Sequence, residues 1–175
     1  MKRVFTIVLC VVMCCPAVMR AQQPVNPMQV GVWMFNADAG LGIINDVAHV
    51  PAGFAFKLAL QRGLWEADLG VVTLGMETGM ALSSIVEGNQ TLRYTKFNIA
   101  PRASWHHGWD TDGFDTYAGL AMGIGFLTQT DIATQPRFYG SVYIGGSYFF
   151  NDGLGVNVEF GYGTTFAQIG VIYRF

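Results

Sequence analysis

Apolar residues alternate with glycine or polar residues along the segment LGVNVEFGYG, from Leu154 to Gly163. Because successive side chains of an extended strand point to opposite faces, one face carries Leu, Val, Phe and Tyr, and the other carries Gly, Asn and Glu. A helix would mix the two sets, since its side chains repeat about every 3.6 residues. The pattern therefore predicts a strand with one apolar face and one small or polar face.

The same alternation recurs along the chain. The predicted strands are Met34 to Ile44, Pro51 to Gln61, Leu69 to Ser83, Tyr94 to His106, Phe114 to Leu127, Arg137 to Phe150, Leu154 to Gly163 and Thr165 to Phe175. Glycine inside strands weakens a soluble sandwich, whereas the narrow interior of an eight-stranded barrel requires small side chains. Strands of about ten residues with apolar-out, polar-in alternation are typical of membrane barrels. The sequence therefore predicts an all-β fold, an eight-stranded antiparallel up-and-down transmembrane β-barrel.

Composition favours the same fold. Hydrophobic residues make up 51% of the chain and charged residues only 13%, about half the usual charged share. No segment of the predicted barrel is apolar over the roughly 20 residues that a transmembrane helix needs, and a closed barrel is the other structure that a bilayer admits. The net charge of −2 and the lack of a basic run argue against nucleic acid as a partner.

The first residues are typical of an export signal. Lys2 and Arg3 precede an apolar run from Val4 to Cys15 that is too short to span a bilayer. Ala21 is the predicted cleavage point, with Ala17 as the alternative. All three cysteines lie in this segment, so neither disulfides nor cysteine-bound metals are expected in the mature chain.

The stretch QIGVIYRF places one set of apolar side chains on a single strand face: Ile169, Val171, Tyr173 and Phe175. This alternation, closing on an aromatic residue, resembles the C-terminal assembly signal of bacterial outer-membrane barrels. The stretches DTYAGLAMGIGF and YIGGSYFFNDGLGVNVEFGYG resemble the family of small OmpA/OmpX-like eight-stranded barrels. The resemblance implies residence in the outer membrane of a Gram-negative bacterium and recognition of the last strand by the barrel assembly machinery. It supplies no binding residue.

The resemblance also divides the chain. Residues 1–21 are the predicted signal peptide, residues 22–35 an N-terminal lead-in segment, and residues 36–175 the barrel. If the last strand ends in the periplasm, the outer loops are short: Asn45 to Val50, Val86 to Arg93, Thr128 to Gln135, and a tight turn near Gly163. Because long outer loops are where ligand capture usually resides, a large adhesive surface is not expected.

Seven charged residues fall on predicted inward faces: Asp38, Lys57, Glu77, Lys96, Arg102, Glu159 and Arg174. An unpaired ion in a narrow lumen costs several kcal/mol, so these charges are expected to pair in a structural network that plugs the barrel. Arg102 and Glu159 are the predicted central pair. The alternative is a gated, narrow ion path.

Catalytic and metal-binding patterns are weak. His106 and His107 are adjacent, and adjacent strand residues point to opposite faces, so both cannot readily bind one ion. His49, Asp46 and either Ser83 or Ser84 lie toward the predicted outer rim, but their spacing does not make a triad. We therefore expect no enzymatic activity, no metal site and no cofactor.

A lipocalin is the competing fold, because GVWMFN contains the G-x-W pattern of that family. A lipocalin keeps apolar residues inside, whereas the polar faces here carry too little charge to cover a soluble surface. The expected function is that of an integral outer-membrane barrel with a structural, membrane-integrity or surface-interaction role. The alternative is a narrow pore or a barrel that binds small apolar or lipidic ligands. Expected partners are outer-membrane lipid and the assembly machinery; the sequence identifies no surface partner.

Overall fold

The computed structural model describes most of the chain from residue 26 onward. The described residues are 26–42, 44, 50–88, 90–109, 111–130 and 132–175. The predicted signal peptide, residues 1–21, lies outside them. No helix among the described residues is long and apolar enough to cross a membrane.

Eight antiparallel strands form a closed barrel in which each strand pairs with its neighbours in sequence and the last pairs with the first. The strands are β1 (Trp33–Gly42), β2 (Gly53–Ala67), β3 (Gly70–Glu87), β4 (Gln90–Gly108), β5 (Phe114–Gln129), β6 (Ile132–Phe149), β7 (Leu154–Tyr162) and β8 (Thr165–Arg174). The predicted fold class is confirmed. We call the end where β1 begins and β8 ends the proximal end, and the opposite end the distal end.

The barrel wall is uneven in height. Strands β7, β8 and β1 have 9, 10 and 10 residues, whereas β3, β4 and β6 have 18, 19 and 18. A tilted strand of about 9–11 residues crosses a bilayer. Strand β6 pairs with β7 only from Val142 to Phe149, so its distal part, residues 132–141, has β5 on one side and no β7 partner. Strands β3 to β6 therefore extend beyond the rim formed by β7 and β8.

Two predicted outer loops are wrong at this end. The segment from Val86 to Arg93 is a continuation of β3 and β4, joined by a tight turn in which Gly88 has φ +60. The segment from Thr128 to Gln135 is likewise absorbed into β5 and β6. Cross-strand pairing extends these hairpins because their tips contain strand-favouring residues such as Val86 and Thr91.

The outward face of the barrel is apolar. On β2, Phe54 and Leu58 are 51% and 45% exposed, while the intervening Ala55 and Lys57 are buried. The same alternation holds on the other strands, with large apolar side chains outside and polar ones inside. A lipocalin-like soluble barrel needs the reverse arrangement, so the structure contradicts that alternative.

Aromatic side chains pair on the outer surface near the proximal end. Tyr148 stacks edge-on against Phe150 at 5.7 Å, and the Tyr173 and Phe175 rings are 5.8 Å apart. All four are more than two-fifths exposed. Such side chains form the girdle that membrane barrels place at the lipid–water interface.

The first strand begins earlier than predicted. Trp33 starts β1, three residues before the predicted barrel boundary at Asn36. The Trp33 amide donates to the Phe175 carbonyl at 2.9 Å, and the Phe175 amide donates to the Trp33 carbonyl at 3.0 Å. This reciprocal pair extends the β1–β8 seam and draws residues 33–35 into the barrel wall.

The rest of the lead-in segment folds over the proximal mouth. The Gly31 amide donates to the Gly63 carbonyl at 2.8 Å, and the Gly63 amide donates to the Val32 carbonyl at 2.9 Å. Met28 is fully buried beneath this turn. Residues 26–32 therefore close the proximal end of the lumen.

Pro101 interrupts the wall. The β4–β5 pairing stops after Ile99 and resumes at Arg102, while the β3–β4 pairing continues past Pro101. Proline has no backbone N–H, so it removes a ladder hydrogen bond, and lipid offers no replacement.

We expect Pro101→Val to raise the free energy of unfolding by about 1 kcal/mol, since the restored hydrogen bond outweighs the greater entropy of the unfolded valine chain. Urea unfolding in lipid vesicles measures the change. The matched control is Pro136→Val on β6, where pairing with Phe126 is already present and little gain is expected. An unchanged or lower stability for Pro101→Val would contradict this account.

Candidate functional site in the barrel lumen

Two cations and two anions form a closed ring at the centre of the lumen. Arg102 Nη2 lies 3.2 Å from Glu159 Oε2, and Arg102 Nη1 lies 3.5 Å from Glu77 Oε2. Lys57 Nζ lies 3.6 Å from Glu77 Oε2 and donates a short hydrogen bond to Glu159 Oε1. All four side chains are at most 2% exposed. Each cation contacts both anions, so the charges of this central quartet balance.

The inward faces of four strands supply the quartet. Lys57 lies on β2 between two small inward residues, Ala55 and Ala59. Arg102 follows the inward Ala100 on β4. These buried alanines leave the volume that the long cationic side chains occupy, because an eight-stranded barrel has little interior space.

Three tyrosines complete the shell around the quartet. The Tyr117 hydroxyl lies 3.0 Å from Glu159 Oε2, and the Tyr139 hydroxyl donates to Glu77 Oε1 at 2.9 Å. The Arg102 guanidinium lies 4.2 Å from the centroid of the Tyr143 ring. A buried ion pair is favourable only when extra hydrogen bonds satisfy its remaining lone pairs. Tyr117 and Tyr139 each supply one such bond, and the Tyr143 ring packs against the Arg102 guanidinium.

Asp38 joins the quartet through amides. Asn157 Nδ2 donates to Asp38 Oδ1 at 3.0 Å, and Gln168 Nε2 lies 3.4 Å from Asp38 Oδ2. Gln168 also donates to Glu159 Oε1 at 3.0 Å. The two amides therefore connect a fifth charge to the central network.

The other two predicted lumen charges lie elsewhere. Lys96 is six residues from Arg102 along β4, or about 20 Å at roughly 3.3 Å per residue, and is half-buried toward the distal end. Arg174 lies at the proximal end, where its Nη1 donates to the Pro27 carbonyl at 3.1 Å and its Nε donates to the Asp152 carbonyl. The structure thus groups five of the seven predicted residues and separates two.

A second buried network surrounds His106. Its Nδ1 lies 2.7 Å from Asp115 Oδ2, and its Nε2 lies 3.0 Å from Gln61 Nε2. Gln61 Oε1 accepts hydrogen bonds from Thr73 Oγ1 at 3.2 Å and Ser104 Oγ at 3.1 Å. Because the Gln61 amide nitrogen can only donate, Nε2 accepts and Nδ1 carries the proton donated to Asp115. The sequence analysis did not predict this network. His106 lies an even number of residues from Arg102 on β4, so the alternation of side chains does place both on the inward face.

We expect Asp115→Ala to lower the free energy of unfolding by about 2 kcal/mol, because it leaves the His106 Nδ1–H buried without an acceptor. Urea unfolding in vesicles measures the loss. The control is Asp152→Ala in the exposed β6–β7 turn, which should stay within about 0.5 kcal/mol of the parent. Equal effects of the two changes would refute the assignment of Asp115.

The two adjacent histidines point to opposite faces. His106 is fully buried in the lumen. His107 lies outside, stacked on Trp105 at 5.5 Å, with its Nδ1 2.8 Å from the Leu69 carbonyl. Among the described residues, no group of three or more His, Cys, Asp or Glu side chains could hold a metal ion.

The two serines considered as nucleophiles, Ser83 and Ser84, lie in different surroundings. Ser83 Oγ donates to the Pro51 carbonyl at 2.7 Å, and Ser84 is exposed. His49 and Asp46 lie outside the described residues. Ser104 bonds Gln61 and the Tyr143 hydroxyl rather than the His106 ring. A nucleophile needs a base within hydrogen-bonding reach, and the contacts described for Ser83 and Ser104 are with other groups.

Apolar clusters cover the polar network on both sides. The proximal cluster consists of Met28, Met34, Val71, Phe149 and Ile172, with Val32 packed against it. The distal cluster consists of Ile44, Ala55, Ala81, Tyr94 and Leu127, with Val50, Ile85 and Leu92 packed against it. The central quartet therefore lies between two apolar layers along the barrel axis.

Comparisons with known proteins bear on the fold. No protein-family model matches the sequence, and no curated protein matches it either. Solved structures do match. Ail, the attachment invasion locus protein of Yersinia pestis, is 12% identical with a TM-score of 0.50, over 84% of this chain and 100% of that one. The outer membrane protein OprG from Pseudomonas aeruginosa is 13% identical with a TM-score of 0.55, over 85% and 97%.

The outer membrane enzyme PagL is 15% identical with a TM-score of 0.46, over 79% of this chain and 97% of that one. At these identities the matches concern the fold alone. The chain has the fold of the small eight-stranded outer-membrane β-barrels.

Proposed function

We propose that this chain is an integral outer-membrane β-barrel with a structural, membrane-integrity or surface-interaction role and no catalysis of its own. The observation that carries the proposal is the contrast between the two faces of the wall. The outside is apolar, and the inside contains a charge-balanced quartet that lies between two apolar clusters.

Lipid is the first partner that this surface fits. The exposed apolar side chains lie on every strand, and burying them in a bilayer removes the cost of leaving them in water. The outward face of β8 continues this surface with Ile169, Val171, Tyr173 and Phe175, each at least half exposed. We assign this face to recognition by the barrel assembly machinery.

The packed lumen favours a structural role over a pore. We expect the purified protein to show no discrete conductance steps in planar bilayers, because ions would have to cross the apolar clusters and the quartet. A matched variant, Arg102→Ala, tests whether the quartet acts as the plug and should show brief openings if it does. Stable single-channel steps from the unaltered protein would overturn the plugged-lumen account.

The uneven wall supports a surface-interaction role. Residues 132–141 of β6 form the edge of a sheet that projects beyond β7, and sheet edges can pair with another chain. Pro136 and Arg137 lie on this edge, and both residue types limit indiscriminate pairing. The edge is therefore suited to selective contacts.

A hairpin shortened by replacing residues 128–135 with Asn-Gly separates the two roles. The shortened barrel should still fold. Loss of cell-surface binding with intact membrane integrity would support the interaction role, and the converse would support the structural role alone.

A further inference from the structure

The outward faces of β3 and β4 change character near the distal end. From the centre of the wall toward the tip, β3 presents Met80, Leu82, Ser84 and then Val86, and β4 presents Phe97, Thr95 and Arg93. The apolar members are exposed on the lipid-facing surface. Ser84, Thr95 and Arg93 therefore form a polar stretch between the continuous apolar band and Val86, a position that suits lipid headgroups.

A cavity of about 420 Å³ opens at this boundary. Its lining includes Pro51, Gly53, Ser83, Ser84, Arg93 and Thr95. Ser84 and Arg93 are direct cross-strand partners, and Leu82 and Thr95 are the next outward pair. Arg93 and two outward-facing hydroxyl residues, Ser84 and Thr95, thus line one cavity next to apolar side chains.

The backbone that carries the guanidinium is held in place. The Arg93 amide donates to Thr130 Oγ1 at 3.0 Å, and the Thr130 amide donates to the Arg93 carbonyl at 3.1 Å. The Arg93 side chain itself is exposed. Arginine presents up to five donors in a planar fork that matches phosphate oxygens, and serine and threonine hydroxyls add further donors.

We propose that this pocket binds the phosphate group of a lipid in the distal leaflet, with Arg93, Ser84 and Thr95 donating to its oxygens. The acyl chains then lie over the apolar surface beneath, formed by Phe54, Leu82 and Phe97. The proposal deepens the membrane role proposed above and rests on it. It requires a phosphate that is covalently joined to apolar chains, because the cavity is continuous with the lipid-facing surface.

The test compares lipids that share chains and differ in headgroup. The full barrel is reconstituted in phosphatidylcholine nanodiscs containing a small fraction of phosphatidic acid, and native mass spectrometry counts the lipids retained on release from the disc. Arg93→Gln is expected to reduce phosphatidic acid retention by roughly tenfold relative to phosphatidylcholine, since one charge-assisted contact is lost. The matched control is Arg62→Gln, which removes an exposed arginine near the proximal end and should leave retention unchanged.

Each outcome decides the proposal. Equal losses for the two variants would mean non-specific attraction to a basic surface and would overturn it. Competition by millimolar inorganic phosphate as strong as that by phosphatidic acid would assign the pocket to a free anion and overturn the lipid occupant. Gel mobility of each variant, boiled against unboiled, distinguishes failure of the lipid site from failure of the proposed membrane role. A heat-dependent mobility shift without phosphatidic acid selectivity would overturn the lipid site alone.

Discussion

Glu159→Gln should lower the free energy of unfolding by about 3–5 kcal/mol, the usual effect of removing one partner from a buried ion pair. Glu159 bonds both Lys57 and Arg102 in the native barrel. The glutamine keeps the size of the side chain but leaves two buried cations with Glu77 as their one anion in the quartet. Urea unfolding in lipid vesicles, followed by tryptophan fluorescence, measures the loss.

Two further variants test the physical cause. Glu66→Gln removes an exposed carboxylate from β2 and should change stability by less than about 0.5 kcal/mol. Adding Lys57→Met to Glu159→Gln restores charge balance, with Arg102 facing Glu77, and should recover much of the loss. A double variant no more stable than Glu159→Gln would show that the quartet does not act as a balanced charge unit.

Phe175→Asp should sharply reduce the amount of barrel that reaches the membrane in cells while changing the stability of refolded protein little. Phe175 is 63% exposed on the outward face and pairs with Trp33 through its backbone. A charge near the membrane interface costs only about 0–1 kcal/mol in a barrel. A large loss in cells therefore reports recognition of the β8 face during assembly rather than weakened folding.

Two controls distinguish the effect of the position of the substitution from the effect of the introduced charge. Phe175→Leu keeps an apolar side chain and should assemble well. Phe138→Asp places the same charge on an even more exposed phenylalanine, at 78%, on the distal part of β6, and should assemble better than Phe175→Asp. Normal membrane levels of Phe175→Asp would contradict the role assigned to Ile169, Val171, Tyr173 and Phe175.

Local pattern was enough to predict the barrel. The alternation on segments such as Leu154 to Gly163 places apolar residues outside, and short turns such as Asn151-Asp152-Gly153 make neighbouring strands pair in sequence order. The distal loops were mispredicted because polar residues near Val86 and Thr128 are compatible with either a loop or a paired hairpin tip. Cross-strand hydrogen bonding decides between these states, and a single strand does not reveal it.

The sequence was enough to predict which side chains point into the lumen, but not which of them contact one another. The alternation of side chains along each strand placed Arg102 and Glu159 inside. The stagger of the strands determines that Glu159 on β7 also contacts Lys57 on β2. That stagger is a property of the closed barrel. The same reason explains why the hydrogen bonds of Tyr117 and the His106–Asp115 contact were missed, although each residue has the parity of an inward position.

A closed barrel with an apolar outer face should stay dispersed only in lipid or detergent. Gel mobility of the protein in detergent, boiled against unboiled, with far-UV circular dichroism alongside, tests it most directly. We expect a faster band for the unboiled protein, a β-sheet spectrum, and aggregation when detergent is removed. A protein that stays dissolved without detergent, keeps its β spectrum and shows no shift on boiling would contradict the account.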